Sequence, residues 1–290
     1  MTAVVARTAR DLLTVRGPEA ATWLQGQLSQ DVAGLAPGAS AWTFVLAPQG
    51  KVDGWGRIHR VDDDTFEIDV DPGAGAAWSA RLLRFKLRTK AEVELATDVP
   101  TVAVRGGGTD GPLAEAAAGG LPAGWPGTDG VDVLRAGDEV VEALVAAGAS
   151  EADRDALEAL RIRSGAPRWG AELDGDTIPA TVGQWAIDAS VSFTKGCYTG
   201  QELVARIDSR GGNVPRRLTG LVLDGPPPAA GTEVTVDGAV AGTVTSSAPD
   251  PATGGSVALA YVGRGVEVPA AAEVGGRPAG LAPLPLPPPG

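Results

Sequence analysis

The eight residues Lys195-Gly196-Cys197-Tyr198-Thr199-Gly200-Gln201-Glu202 hold the only cysteine of a 290-residue chain. Thr199 and Glu202 have the T-x-x-E spacing of a capping box, in which hydroxyl and carboxylate each satisfy a free backbone N–H at a helix start. Leu203, Val204 and Ile207 then form an apolar stripe, Arg206 and Arg210 lie on another face, and Gly211-Gly212 supplies a stop. Cys197 is thereby placed just before a helix N-terminus, where unsatisfied N–H groups and the helix dipole stabilise an anion and lower a thiol's pKa. If residues 193–197 are extended, Lys195 points to the same side and adds an ammonium near the thiolate. The chemistry this allows is that of a reactive thiol. A lone cysteine equally serves as a small buried apolar side chain, and local physics leaves both readings open.

K-G-C-Y-T-G-Q-E, continued by Leu203-Val204-Ala205-Arg206, resembles the signature of the YgfZ family, folate-binding proteins related to the glycine-cleavage T-protein. The resemblance runs in order through Trp23-Leu24-Gln25-Gly26-Gln27-Leu28 with Asp31-Val32, Gln49-Gly50-Lys51, Arg161 to Gly165 with Pro167, Ile178-Pro179 and Val191-Ser192-Phe193. It implies a cytoplasmic tetrahydrofolate-binding accessory protein for assembly or repair of iron-sulfur enzymes, with folate and iron-sulfur client or assembly proteins as partners. On that reading Cys197 is the reactive group and Lys195 favours its thiolate. Tyr198 and Gln201 shape the pocket mouth, Gly200 permits close backbone approach, Glu202 holds the helix start, and Arg206 pairs with an anionic ligand group or with Glu202. Arg161 completes the cofactor-binding set. The T-protein relationship implies an alternative, a folate-dependent aminomethyl (one-carbon) transferase, and a binding module without chemistry is a third possibility.

One position departs from the pattern. The relatives carry R-x-E-x-G where this chain has Arg161-Ile162-Arg163-Ser164-Gly165, so an arginine replaces the carboxylate that contacts the pterin ring in the transferase relatives. A guanidinium offers only donors to a pterin's N–H edge. Glu172 and Glu202 are the candidate substitutes, and the sequence places neither in a pocket.

Composition bounds the function classes. A length of 290 residues, 43% hydrophobic and 21% charged, allows two or three modest domains with real cores. No run approaches the ~18 apolar residues of a membrane span. The net charge of -12 opposes non-specific nucleic-acid binding. One cysteine excludes an internal disulfide and fits a reducing cytoplasm. With His59 the single histidine, the chain lacks the thiolate sets that hold iron-sulfur clusters, and no metal site is expected. Gly106-Gly107-Gly108 lacks the lysine and hydroxyl of a phosphate loop. Asp62-Asp63-Asp64 reads as a turn.

The elements that must position the motif read as follows. Leu12–Arg16 is a short strand and Gly17-Pro18 opens a helix through about Gln30, with Trp23 in the core. Strands over 41–46 and Val52–Arg60 form a hairpin, and Phe66, Ile68 and Val70 alternate in a third strand. A helix over about 75–88 buries Ala80, Leu83 and Leu87, and Ala91–Leu95 returns as a strand. Arg81, Arg84, Lys86, Arg88 and Lys90 concentrate positive charge, either as a solvated helix face or as a seat for an anionic ligand tail such as a folate polyglutamate. A Gly/Pro-rich loop at 119–130 precedes a strand Val131–Leu134 and a helix near 139–147. Ser150 with Asp153 caps the next helix, with Ala156, Leu157 and Leu160 inward and Gly165 at its end. Short strands from Leu218 to Val262, with Asp237-Gly238 a hairpin signal, form a small all-β domain, and Pro283–Gly290 reads as a disordered tail.

These types make the fold class α+β. The resemblance implies two interwoven ferredoxin-like α+β units and a C-terminal small β-barrel around a central channel. Its divisions are 1–45 with 101–210, an inserted 46–100, the barrel 211–282, and the Pro-rich tail 283–290.

Overall fold

The computed structural model describes residues 3–106 and 111–287, so Gly107 and Gly108 of the glycine run lie outside the described residues. β1 (Val4–Arg16) leads to α1 (Ala20–Gln27), the meander β2 (Ser40–Leu46), β3 (Val52–Arg60) and β4 (Thr65–Val70), then α2 (Gly75–Arg84) and β5 (Glu92–Arg105). Next come α3 (Gly111–Ala116), β6 (Leu121–Pro122), β7 (Gly130–Leu134), α4 (Asp138–Ala146), β8 (Ser150–Glu151) and α5 (Arg154–Ser164). A 3-10 turn, Pro179–Val182, precedes α6 (Gln184–Ser190) and α7 (Gln201–Asp208). The all-β part is β9 (Arg216–Leu223), β10 (Glu233–Val236), β11 (Ala239–Pro249), β12 (Ser256–Gly263), β13 (Ala270–Val274) and β14 (Arg277–Ala282).

The α+β body is built on one sheet in the order β2-β3-β4-β1-β5-β7-β6, with β8 parallel to β1. Two strands are much longer than their hydrophobic alternation indicates: β1 has 13 residues and β5 has 14. Val4 to Arg10 pairs with Val99 to Arg105, whereas Leu12 to Arg16 pairs with Glu92 to Ala96. The register shifts between Arg10 and Leu12. Buried Asp11 stabilises that break by accepting the backbone N–H groups of Gly73 (2.9 Å), Gly75 (3.0 Å) and Asp98 (3.1 Å). Two cores, one around Trp23, Leu24, Phe66 and Trp78 and one around Val5, Val104 and Leu144, therefore share a continuous pair of strands.

Three local expectations need correction. Helix α1 stops at Gln27 rather than Gln30, because Leu28 pairs with Val45 and Ser29 N–H bonds to the Phe44 carbonyl, drawing the chain onto the sheet. In α2 the buried residues are Gly75, Trp78 and Leu82, and Ala80, Leu83 and Leu87 are exposed. Trp78 sets that rotation by lying over Gly54, where a Cβ would stand 2.1 Å from its Nε1. The tail through Pro287 is placed: Leu286 N–H bonds to the Arg163 carbonyl at 2.7 Å, and Leu284 and Leu286 fill the space left by Gly165 and Gly220.

The six-stranded barrel closes in the order β10-β11-β12-β9-β14-β13 around Leu221, Val234, Ala260 and Val274. Asp237 and Gly238 turn with φ of 51° and 76°, as a tight hairpin requires. The outer faces of β11 and β12 pack against α5 and β9 packs against the 3-10 turn, in a core that holds Ile162, Val182, Leu218, Ala248, Leu259 and Tyr261.

Candidate functional site

A cavity of about 370 Å³ lies between the β1, β5 and β7 strands, the β2–β3 tryptophans and α5. Antiparallel pairing of β2 and β3 sets Phe44 opposite Trp55 and Trp42 opposite Arg57. Trp42 and Trp55 thus stack diagonally, centroids 4.0 Å apart and 12° from parallel. Their indole N–H groups are fixed by the Ala123 carbonyl (2.9 Å) and Ser190 Oγ (3.0 Å). A third indole, Trp125, comes from the Gly/Pro-rich loop and covers the Arg105 guanidinium at 4.1 Å.

Charged residues line the rest: six arginines (7, 10, 105, 154, 161 and 168) and four carboxylates (Asp71, Asp98, Asp132 and Glu158). Arg10 donates to Asp69 (2.9 Å) and Asp71 (2.5 Å). Burial opposes its charge, yet these carboxylates outweigh it and raise the Arg10 pKa. Arg161 is buried likewise, and its pKa is raised by Glu172 (3.1 Å) and by the bidentate Glu158 (2.9 Å to each oxygen). Burial instead wins at Arg105 and lowers its pKa although Asp132 accepts from it at 2.7 Å. For Asp132 burial is exceeded by Arg105 and Arg57, which hold its carboxyl below the usual range. Two groups are left over. The buried Arg105 Nε–H has no acceptor among the described residues. Asp98, held in a left-handed conformation at φ 51°, is exposed and joins no ion pair among the described residues.

The cysteine motif occupies a different place. Of the site residues read from the sequence, only Arg161 lines the cavity. Cys197 is exposed, which excludes a merely packed thiol. Lys195 is committed elsewhere: its Nζ donates to the carbonyls of Gln25 (2.6 Å), Leu28 (2.7 Å) and Gln30 (2.8 Å), using all three N–H groups to cap the end of α1. Burial lowers its pKa to about 8. Tyr198 packs on the central core beneath the Lys195 ammonium (5.1 Å), and burial pushes its hydroxyl up to about 12.

The capping box does not form. Gly200 is the N-cap of α7 with φ 82°, and Gln201 Oε1 accepts from Tyr198 N–H at 3.1 Å. The cause is a tertiary contact: a Cβ at Gly200 would lie 2.5 Å from the Ala47 carbonyl oxygen, and one at Gly50 2.4 Å from Leu203 Cβ. The chain must turn left-handed where Gly200 meets the β2–β3 turn. Glu202 and Arg206 are exposed and do not pair with each other, and Glu172 is fully buried outside the cavity. Arg163 points away from the cavity to Asp250 at 2.8 Å.

The segments that carry the resemblance nevertheless converge. Gln25 ties down Asp31, Val32 and Ala33, Thr199 N–H bonds to the Gly26 carbonyl, and the Gln49-Gly50-Lys51 turn seats Gly200. Together they build a platform for the Cys197 loop. The cavity residues Trp42, Trp55, Trp125, Arg105 and Asp98 carry no short sequence motif. Seven tryptophans in an otherwise aromatic-poor chain are the one signal pointing to them.

A split α+β body that encloses one aromatic and charged cavity and carries a closed six-stranded barrel defines the T-protein class of folds. The model of the glycine cleavage T-protein C-terminal barrel domain matches residues 216–280. An aminomethyltransferase of Thermus thermophilus is 31% identical over 94% of this chain and 84% of its own. An uncharacterized protein of Haemophilus influenzae is 27% identical over 73% and 71% of the two chains. The crystal structure of the glycine cleavage system aminomethyltransferase T from Bartonella henselae superposes with a TM-score of 0.78 at 20% identity, covering 98% of this chain and 86% of that one. The chain belongs to the aminomethyltransferase family, that of the glycine-cleavage T-protein.

Proposed function

We propose that this chain binds tetrahydrofolate or another folate in the tryptophan-lined cavity and acts as an accessory factor in the assembly or repair of iron-sulfur enzymes, with Cys197 as its reactive surface group. The observation that carries the reading is the cavity itself. Its volume and its tryptophan walls among many charged side chains suit a small planar ligand that carries charge. Trp42, Trp55 and Trp125 supply aromatic wall for the rings of a folate, and Arg154, which joins no ion pair among the described residues, favours its carboxylates. Arg105 Nε–H and Asp98 supply an unfilled donor and an unpaired acceptor that a bound ligand would satisfy. A folate, when bound, supplies one-carbon chemistry. Exposure of Cys197 outside this cavity supports a separate step with a partner protein, in the cytoplasm that the single cysteine fits.

Aminomethyl transfer to tetrahydrofolate is the second reading, favoured by the Thermus relative. Calorimetric titration of tetrahydrofolate into wild type and Cys197→Ser separates the parts. Saturable binding in both is expected, with failure of Cys197→Ala to restore iron-sulfur enzyme activity in a deletion strain. No binding by wild type would refute the folate site. Turnover of an aminomethyl donor that survives loss of Cys197 would favour the transferase.

A further inference from the structure

Residues 83–90 form a surface run that neither the cavity nor the cysteine platform uses. Because Gly75, Trp78 and Leu82 bury the inner side of α2, Leu83, Phe85 and Leu87 stand 47%, 37% and 84% exposed. Between and after them come Arg84, Lys86, Arg88 and Lys90, so apolar and cationic side chains alternate. None of these four cations joins an ion pair among the described residues; only Arg81, deeper in the helix, does, with Asp53 at 2.9 Å. The nearest acid in contact, Glu19, accepts the backbone N–H of Lys90. Arg81 also donates to Gln27 Oε1 (3.2 Å) and the Leu46 carbonyl (2.8 Å), so the run abuts α1, whose end carries the Cys197 loop.

We infer that this run is a docking site for an acidic segment of a partner protein that also carries apolar anchors. Exposed apolar side chains on a monomer mark interaction surfaces, and the charge alternating with them selects the partner's sign. A chain of net charge -12 that keeps four unpaired cations together offers a local attraction which only a narrow acidic segment can use. A broad anionic bilayer would meet the rest of an acidic molecule, and a second copy would bring the same cations face to face.

The test is fluorescence anisotropy of a labelled synthetic peptide of alternating Glu and Leu, titrated with the full chain. Wild type is compared with Leu87→Ser and with the double variant Lys86→Glu, Arg88→Glu, positions that are exposed or, at Lys86, half-buried, and lie away from the cavity. Saturable one-to-one binding is expected, weakening about tenfold between roughly 50 and 500 mM salt and about tenfold in each variant. Unchanged circular dichroism of the variants controls for folding. Peptide binding that ignores the variants would overturn the assignment. So would their selective loss of binding to phosphatidylglycerol vesicles while the peptide is ignored.

Discussion

At the scale of single residues, Lys195 illustrates how a side chain beside a reactive group can serve the scaffold. Its ammonium is held by three carbonyls at the end of α1. Lys195→Met should therefore lower stability by about 3 kcal/mol in urea titrations, the range for bonds from a charged donor. Alkylation of Cys197 by iodoacetamide should change less than about twofold, since no ammonium N–H is free for the sulfur. The pH dependence has a definite sign. Burial lowers the folded pKa to about 8 from 10.5, so in that interval the unfolded chain binds more protons. The penalty that burial places on the charged form is therefore absent above 10.5 and is fully felt once pH has fallen through 8. The stability difference between wild type and Lys195→Met should widen as pH rises from 8 toward 10.5. Gly200→Ala has a steric prediction. Its left-handed backbone and the contacts with Ala47 and Leu46 should together cost about 2–4 kcal/mol and disorder the Cys197 loop, read as faster thiol alkylation.

At the scale of elements, α5 shows where local sequence and tertiary position part. Its cap is legible: Asp153 accepts Ala156 N–H at 2.8 Å, and Gly165 ends it left-handed. The direction of Arg163 is not legible, because it depends on the barrel and tail that arrive later in the chain. Arg163→Glu, which restores the relatives' carboxylate, would face buried Asp250. It should cost about 3–5 kcal/mol without tightening tetrahydrofolate, as thermal melts and calorimetry would register; a gain in affinity would contradict the observed orientation. The same division runs through the fold. Barrel strands β9 to β12 announce themselves by alternation and Pro/Gly turns, whereas β13 and β14, rich in Ala and Gly, do not. The far halves of β1 and β5 escape notice because Arg7, Thr8 and Arg10 interrupt the apolar pattern and Pro100 breaks the other strand. The cavity depends on that pairing, so its charged walls are invisible until the strands are aligned.

At the scale of the molecule, the body and the barrel are joined through Glu172. Its carboxylate accepts from Arg161 (3.1 Å), Arg168 N–H (3.0 Å), Thr245 Oγ1 (2.7 Å) and Ser246 Oγ, while its carbonyl accepts from Tyr261 O–H at 2.7 Å. Removing the carboxylate strips Arg161 of one counter-charge and leaves the Ser246 hydroxyl without its acceptor, while Thr245 keeps the Leu259 carbonyl at 3.1 Å. Breaking a buried pair from one side costs about 3–5 kcal/mol. Since the apolar contact of α5 with β11 and β12 remains, both halves should stay folded while their coupling weakens. Glu172→Ala should thus convert one calorimetric transition into two, the barrel melting apart from the body. Tetrahydrofolate, whose proposed seat involves α5 and the sheet rather than the barrel, should then raise the melting temperature of the body transition alone. A single cooperative transition in the variant, shifted as a whole by ligand, would show that the apolar interface couples the two halves without Glu172.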